Sequence, residues 1–118
     1  MGRRSRRRGR DPLAAPAVDY TDAEGNVLTL RGSLSAASRR QYADVAAGSP
    51  LSREDAWQRA VEFLFERLAV RWTIAGLPLE RQDELLGRYR MASPQERAWV
   101  RGAMRRHVAE HFPDVEAP

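Results

Sequence analysis

Two histidines and a glutamate near the end of the chain have the spacing of a zinc-binding helix. His107, Glu110 and His111 form H-x-x-E-H within "RRHVAEHFPDV", the pattern of the inverted zinc proteases. Histidines four residues apart share a helix face, as ligands of one metal must. A catalytic zinc also needs a third protein ligand, which in proteins with this motif lies well downstream, and only seven residues follow His111. We therefore interpret both histidines as residues at the rim of a buried helix face.

The remaining residue types offer little for catalysis. The chain has no cysteine and two histidines, and Gly76, Gly87 and Gly102 are isolated, so no glycine-rich phosphate loop is present. Glu62 and Glu66 share a helix face, but charges on such a face are usually only solvated. We predict that the protein is not an enzyme and that it uses no cofactor and no metal.

The basic residues are 20 arginines without a lysine, which indicates a GC-rich genome and a bacterial or phage origin. Six of them open the chain: Arg3, Arg4, Arg6, Arg7, Arg8 and Arg10. The rest of the chain has 14 arginines against 16 acidic residues, a net charge of −2. No apolar run follows the first arginines, and none reaches the roughly 18 residues of a membrane span. We expect a soluble, cytoplasmic protein with no small-molecule substrate.

The arginines also support an alternative function, nucleic-acid binding. Arg-rich segments bind nucleic acid, acidic membranes or acidic proteins. Arg97, Arg101 and Arg105 follow at i, i+4 and i+8 of the last predicted helix, which loosely suggests a helix-turn-helix with a basic reader. The compact glycine-containing turn of that motif is missing, and arginine in a last helical turn also favours the helix dipole.

The periodicity predicts a β-hairpin followed by helices. Residues 1–16 are rich in Arg, Gly and Pro and should be disordered. "VDYTDAEGNVLTL" has two β-prone runs around a turn, in which Gly25 would take the positive φ. Four helices should follow, with N-caps at Ser35, Ser52 and Ser93 for the first, second and fourth. The second helix is predicted to run over 52–75, the third over 79–92, and the last from Ser93 to about His111.

The long predicted helix 52–75 is apolar on two sides. One stripe comprises Trp57, Val61, Leu64, Phe65, Leu68 and Trp72, and a second comprises Phe63, Val70 and Ile74. A helix that is apolar on two faces is either central or meets a second chain. We take the first stripe as core and the second as a candidate partner contact, together with the hairpin edge. The predicted core is Leu34, Tyr42, Trp57, Val61, Leu64, Leu68, Trp72, Leu86, Tyr89, Trp99, Ala103 and Val108.

Two segments, "DAEGNVLTLRGSLS" and "LAVRWTIAGLPL", cover about a quarter of the chain and resemble the small tail-assembly chaperones of tailed phages and prophages. That resemblance implies a short strand pair followed by a helical bundle with a Trp-bearing helix. It also implies a non-enzymatic protein that coats a tape-measure or tube subunit until assembly. The Arg-rich start is not part of that pattern.

These observations predict a mainly α fold. Its parts would be a disordered basic tail over 1–16, a single domain over 17–112 and a short C-terminal tail over 113–118. The domain would contain one β-hairpin and a compact array of about four helices around a long central helix. The predicted function is that of a small non-enzymatic adaptor or assembly protein that binds a protein partner or itself.

Overall fold

The computed structural model describes residues 15–48 and 53–118, and within them the chain forms four strands and four helices. In chain order these are β1 (Val18–Thr21), β2 (Val27–Leu30), α1 (Ala36–Ala47), α2 (Arg53–Leu68), β3 (Ala69–Ile74), β4 (Leu77–Leu79), α3 (Gln82–Arg90) and α4 (Pro94–His111). The fold is α+β. The prediction of a mainly α protein with one hairpin is therefore wrong, because a second hairpin lies between α2 and α3.

The four strands form one antiparallel sheet in the order β1-β2-β3-β4. The predicted first hairpin is confirmed, with Tyr20 opposite Leu28 and Gly25 at φ +85° in its turn. On its other side β2 pairs with β3, where Leu28 lies opposite Trp72. The first hairpin is therefore half of a larger sheet, which removes the weakness of an isolated two-stranded ribbon.

The predicted 52–75 helix is shorter than expected, because α2 ends at Leu68 and the chain continues directly as β3. The stretch after Leu68 is rich in β-branched and aromatic side chains, which favour a pleated strand. Trp72 lies four residues after Leu68, a spacing that suits a helix face and also suits a strand that pairs with β2. Pairing with β2 satisfies the backbone groups of this segment. Trp72 is buried, as predicted, although it lies on a strand and not on a helix.

Two of the predicted helix N-termini are confirmed. The Ser35 hydroxyl accepts a hydrogen bond from the Ser38 amide at the start of α1. Ser93 and Glu96 form a full capping box at α4, with Pro94 in the first helical turn. The third predicted N-cap, Ser52, lies outside the described residues.

The core lies between the sheet and the helices, and every element except β1 and β4 contributes buried side chains to it. Its largest members are Leu28, Leu30, Leu64, Phe65, Leu68, Leu85, Val100, Met104, Val108 and Phe112. Of the predicted core, Tyr42, Val61, Leu64, Leu68, Trp72, Tyr89, Ala103 and Val108 are buried, while Leu34, Leu86 and Trp99 are partly buried against it. Trp57 is exposed, so its assignment to the core is wrong.

The segment predicted as a short C-terminal tail packs along α1. The Tyr42 hydroxyl donates to the carbonyl oxygen of Glu116 at 2.6 Å, and Arg39 pairs with Asp114 at 2.5 Å. Val115 also packs against the core. The last residues thus help to form the surface beside α1 and α2. None of the helices described here is sufficiently long and apolar to cross a bilayer.

Candidate functional site

The two histidines of the H-x-x-E-H pattern differ in burial and in their contacts. His107 on α4 is fully buried; its Nε2 lies 2.5 Å from the carbonyl oxygen of Arg31 and its Nδ1 lies 2.8 Å from the Tyr20 hydroxyl. A carbonyl oxygen only accepts, so Nε2 carries the proton and Nδ1 accepts from Tyr20. His111 is half-buried, and its ring centroid lies 4.5 Å from that of His107.

Burial lowers the pKa of His107 below its usual value, because the low-dielectric interior disfavours the charged ring. With the pKa lowered, the neutral ring is the form that fits the two hydrogen bonds. A metal ligand at this position would have to break one of those bonds. In residues 15–48 and 53–118 no three His, Asp or Glu side chains come together in a way that could hold a metal ion. His107 therefore joins α4 to the first hairpin.

The three predicted nucleic-acid contacts on α4 lie along one row and have separate protein contacts. Arg97 donates to the carbonyl oxygen of Ala92 at 2.6 Å, which lies just beyond the end of α3. Arg101 places its guanidinium 5.2 Å from the ring centroid of Trp57. Arg105 is exposed and its Nη2 lies 3.5 Å from the backbone oxygen of Pro118, the last residue of the sequence. The other predicted contacts, Arg3, Arg4, Arg6, Arg7, Arg8 and Arg10, lie outside the described residues.

Trp57 lies in the first part of α2 and is 36% exposed. A cleft of about 290 Å³ opens on one side of it, between α2, α3 and α4, and its lining includes Tyr89, Arg97 and Arg101. A second cleft of about 520 Å³ opens on the other side, between α1, α2 and the C-terminal segment, with alanines in its wall. The exposed indole thus forms a ridge between a cationic cleft and an apolar cleft.

The side chains that line the cationic cleft include more arginines than carboxylates. Glu62 lies in its wall and pairs with Arg90 at 2.7 Å, a bond that raises the pKa of the Arg90 guanidinium. Arg97 and Arg101 line the same cleft, and within the described part of the chain neither has an Asp or Glu partner. The cleft therefore keeps two positive charges without a partner beside an aromatic side chain.

The predicted partner contact of Phe63, Val70 and Ile74 is divided between two elements. Phe63 is on α2 under the guanidinium of Arg67, 4.8 Å from its ring centroid, whereas Val70 and Ile74 are on β3. All three are partly buried, and Phe63 and Ile74 pack against the core. The common helix face that suggested this surface does not exist, because α2 ends before Val70.

No local pattern in the sequence indicates that Trp57 is exposed. It lies four residues before Val61, so helical spacing alone places it on the core stripe. Its exposure depends on where α1 and the C-terminal segment pack, and the C-terminal segment is far from Trp57 in the sequence. The spacing did place Arg97 and Arg101 on one face of α4, which the structure bears out.

Comparison with known proteins adds no family to this geometry. No protein-family model matches the chain, and neither a curated protein nor a solved structure shows significant similarity to it.

Proposed function

We propose that the protein is a small, non-enzymatic protein-interaction protein of the adaptor or assembly type, and that it holds its partner at the surface around Trp57. The observation that carries the proposal is the exposed Trp57 ring, fixed beneath the guanidinium of Arg101 and bordered by two clefts. Trp and Arg are the residues most often found at the energetic centre of protein interfaces.

The surroundings of Trp57 favour binding over catalysis. The clefts offer an aromatic face, guanidinium groups and small apolar side chains, which are groups that recognise a surface. The titratable groups in the cleft walls are held by other contacts: burial raises the pKa of Tyr42 to about 12 and its hydroxyl donates to the Glu116 carbonyl oxygen, while Glu62 pairs with Arg90. The buried His107 lies in the contact between α4 and the first hairpin rather than in either cleft.

The resemblance to phage tail-assembly chaperones suggests one specific form of this function. In that form the partner is a tape-measure or tube subunit. The resemblance implies a Trp-bearing helix, but the corresponding segment of this chain is strand β3, in which Trp72 is buried. The proposal therefore depends on Trp57, and the identity of the captured partner decides whether the chaperone form is right.

The test is cross-linking from the cleft wall in cells of the source organism. A photo-reactive amino acid at position 58, in the wall of the cationic cleft, should form one major adduct, to be identified by mass spectrometry. The purified partner is then titrated calorimetrically against the unmodified protein and against Trp57→Ala. We expect about a 30-fold loss of affinity, as for an interface hot spot, without a change in melting temperature.

The matched control is Met91→Ala. Met91 is 86% exposed and lines neither cleft, so its removal deletes an exposed apolar side chain of similar length away from the proposed surface. Its affinity for the partner should equal that of the unmodified protein. An adduct that forms equally from position 91, or a partner that binds Trp57→Ala with unchanged affinity, would refute the proposed surface.

A further inference from the structure

Eight of the 14 arginines in the described residues have no carboxylate partner, and three of these eight form a row on α4. Among the described residues, six arginines pair with an Asp or Glu side chain: Arg39, Arg59, Arg71, Arg81, Arg88 and Arg90. Within that same part of the chain, Arg97, Arg101 and Arg105 have no such carboxylate within 4.0 Å. Their positions at i, i+4 and i+8 make a row about 12 Å long on one helix face.

The first two arginines of this row are held in place by groups without a negative charge. Arg97 is bonded to the Ala92 carbonyl at the end of α3, and Arg101 lies over the Trp57 ring. Both side chains are partly buried. These contacts fix the guanidinium groups without neutralising them. The two arginines therefore lose little further side-chain entropy when a carboxylate binds.

We propose that the segment bound at this surface is an acidic and apolar stretch of the partner protein, a deepening that rests on the proposed function. Its carboxylates would pair with Arg101 and Arg105, and an apolar side chain beside them would contact Trp57. Charge-assisted bonds to guanidinium groups are about twice as strong as neutral ones. The aromatic contact supplies the apolar area that a surface ion pair alone lacks.

Other occupants fit the same surface less well. The chain's own Arg-rich start carries the same sign of charge as the row. A single strand bound by base stacking would use the ring face over which Arg101 lies, whereas an apolar side chain can contact the part of the indole that stays exposed. The chain from residue 11 onward also has a net charge of −2, which opposes a polyanion of high charge density.

The probe is a fluorescein-labelled synthetic peptide of alternating glutamate and leucine, about twelve residues long to exceed the row. A second peptide has glutamine in place of each glutamate. The third probe is an oligothymidylate with the same net charge as the glutamate peptide. Binding is measured by fluorescence anisotropy to the full chain, to Arg101→Gln and to Arg40→Gln. Arg40 is the matched control, because it is an exposed helical arginine on α1 outside both clefts.

We expect the glutamate peptide to bind, Arg101→Gln to weaken it about tenfold, and Arg40→Gln to change it less than about twofold. The glutamine peptide should not bind. Equal binding of both peptides, or equal effects of the two substitutions, would overturn the acidic partner. Tighter binding of the oligothymidylate that Arg101→Gln abolishes would assign the row to nucleic acid instead.

The cross-linked partner separates this inference from the proposed function. If that partner loses affinity for Trp57→Ala but not for Arg101→Gln, the interaction surface stands and the acidic chemistry is wrong. If neither substitution affects the partner, the proposed surface itself fails. If both do, and the glutamate peptide competes with the partner, both inferences hold.

Discussion

At the scale of single residues, His107 is a buried polar side chain whose two ring nitrogens both have hydrogen-bond partners. It is fully buried on α4, and its two ring nitrogens are bonded to Tyr20 and to the backbone of Arg31. A buried polar ring is tolerated because both nitrogens are satisfied. The sequence predicted that His107 and His111 share a helix face. Its bonding partners could not be predicted, because Tyr20 lies 87 positions away and no local pattern connects the two.

This arrangement predicts a pH-dependent stability. Burial lowers the pKa of His107 from its usual 6.5, so the unfolded chain binds a proton more readily than the folded one. As the pH falls through 6.5 the unfolded state gains protons first, and the folded state loses stability until the lowered pKa is passed. For one proton the slope is at most about 1.4 kcal/mol per pH unit. Urea unfolding at a series of pH values measures it.

The variant His107→Gln tests the assignment. Its amide keeps a donor for the Arg31 carbonyl and an acceptor for the Tyr20 hydroxyl but does not titrate, so the slope below pH 6.5 should be reduced. An NMR titration of the His107 ring in the unmodified protein measures its pKa directly. A ring that titrates at or above 6.5 would contradict the prediction, as would an unchanged slope in the variant.

At the scale of elements, the sequence predicted the first hairpin and the caps of α1 and α4, because each depends on residues close together in the chain. It did not predict where α2 ends. The spacing of Leu68 and Trp72 suits a helix, and the competing signal was the β-branched composition of β3 followed by Ala75-Gly76. The pairing that decides the outcome joins β3 to β2, where Leu28 lies opposite Trp72, and such distant pairing is invisible to local periodicity.

The turn between β3 and β4 gives a prediction at this scale. Ala75 has φ +52° and Gly76 has φ +79°, the positive values that a two-residue type I′ hairpin requires at both central positions. An alanine there is strained, whereas asparagine tolerates this region better. Ala75→Asn should therefore raise the free energy of unfolding by about 1 kcal/mol, as measured by urea denaturation.

The adjacent glycine is the control for that substitution. A Cβ at Gly76 would meet no atom within 4 Å, so Gly76→Ala tests the backbone conformation without a clash. It should lower the free energy of unfolding by about 1 kcal/mol. The Ala75 amide donates to the Asn26 side chain at 3.0 Å, a bond that Ala75→Asn retains. A destabilised Ala75→Asn, or an unaffected Gly76→Ala, would show that the turn differs from this description.

At the scale of the whole molecule, charge is distributed unevenly between the first ten residues and the rest. The start contributes six arginines, whereas the chain from residue 11 onward has a net charge of −2. This distribution could be read from the sequence alone. Eight of the twelve residues predicted as core are buried, whereas Leu28, Leu85 and Phe112 are buried without having been predicted. The surface around Trp57 could not be read from the sequence, because it is formed where α1, α2, α4 and the C-terminal segment meet, and that assembly depends on the complete fold.

The charge distribution predicts how the protein responds to nucleic acid. If all six N-terminal arginines contact phosphates, the logarithm of the binding constant should fall with the logarithm of salt concentration with a slope of about −5. Removal of residues 1–10 should abolish the binding, because the remaining chain is negative. Phosphate contacts carry no sequence information, so duplexes of different sequence should bind equally. Fluorescence anisotropy across a salt series measures both the slope and its loss.

The truncated chain is the decisive sample in this experiment. Because the chain from residue 11 onward has a net charge of −2, we expect the α4 row to leave mixed-sequence DNA unbound near physiological salt. Loss of binding on truncation would confine nucleic-acid affinity to the first ten residues and leave the α4 row free for a protein. Binding that persists without them, and that Arg101→Gln then removes, would instead make α4 a nucleic-acid surface and reverse the order of the two functions.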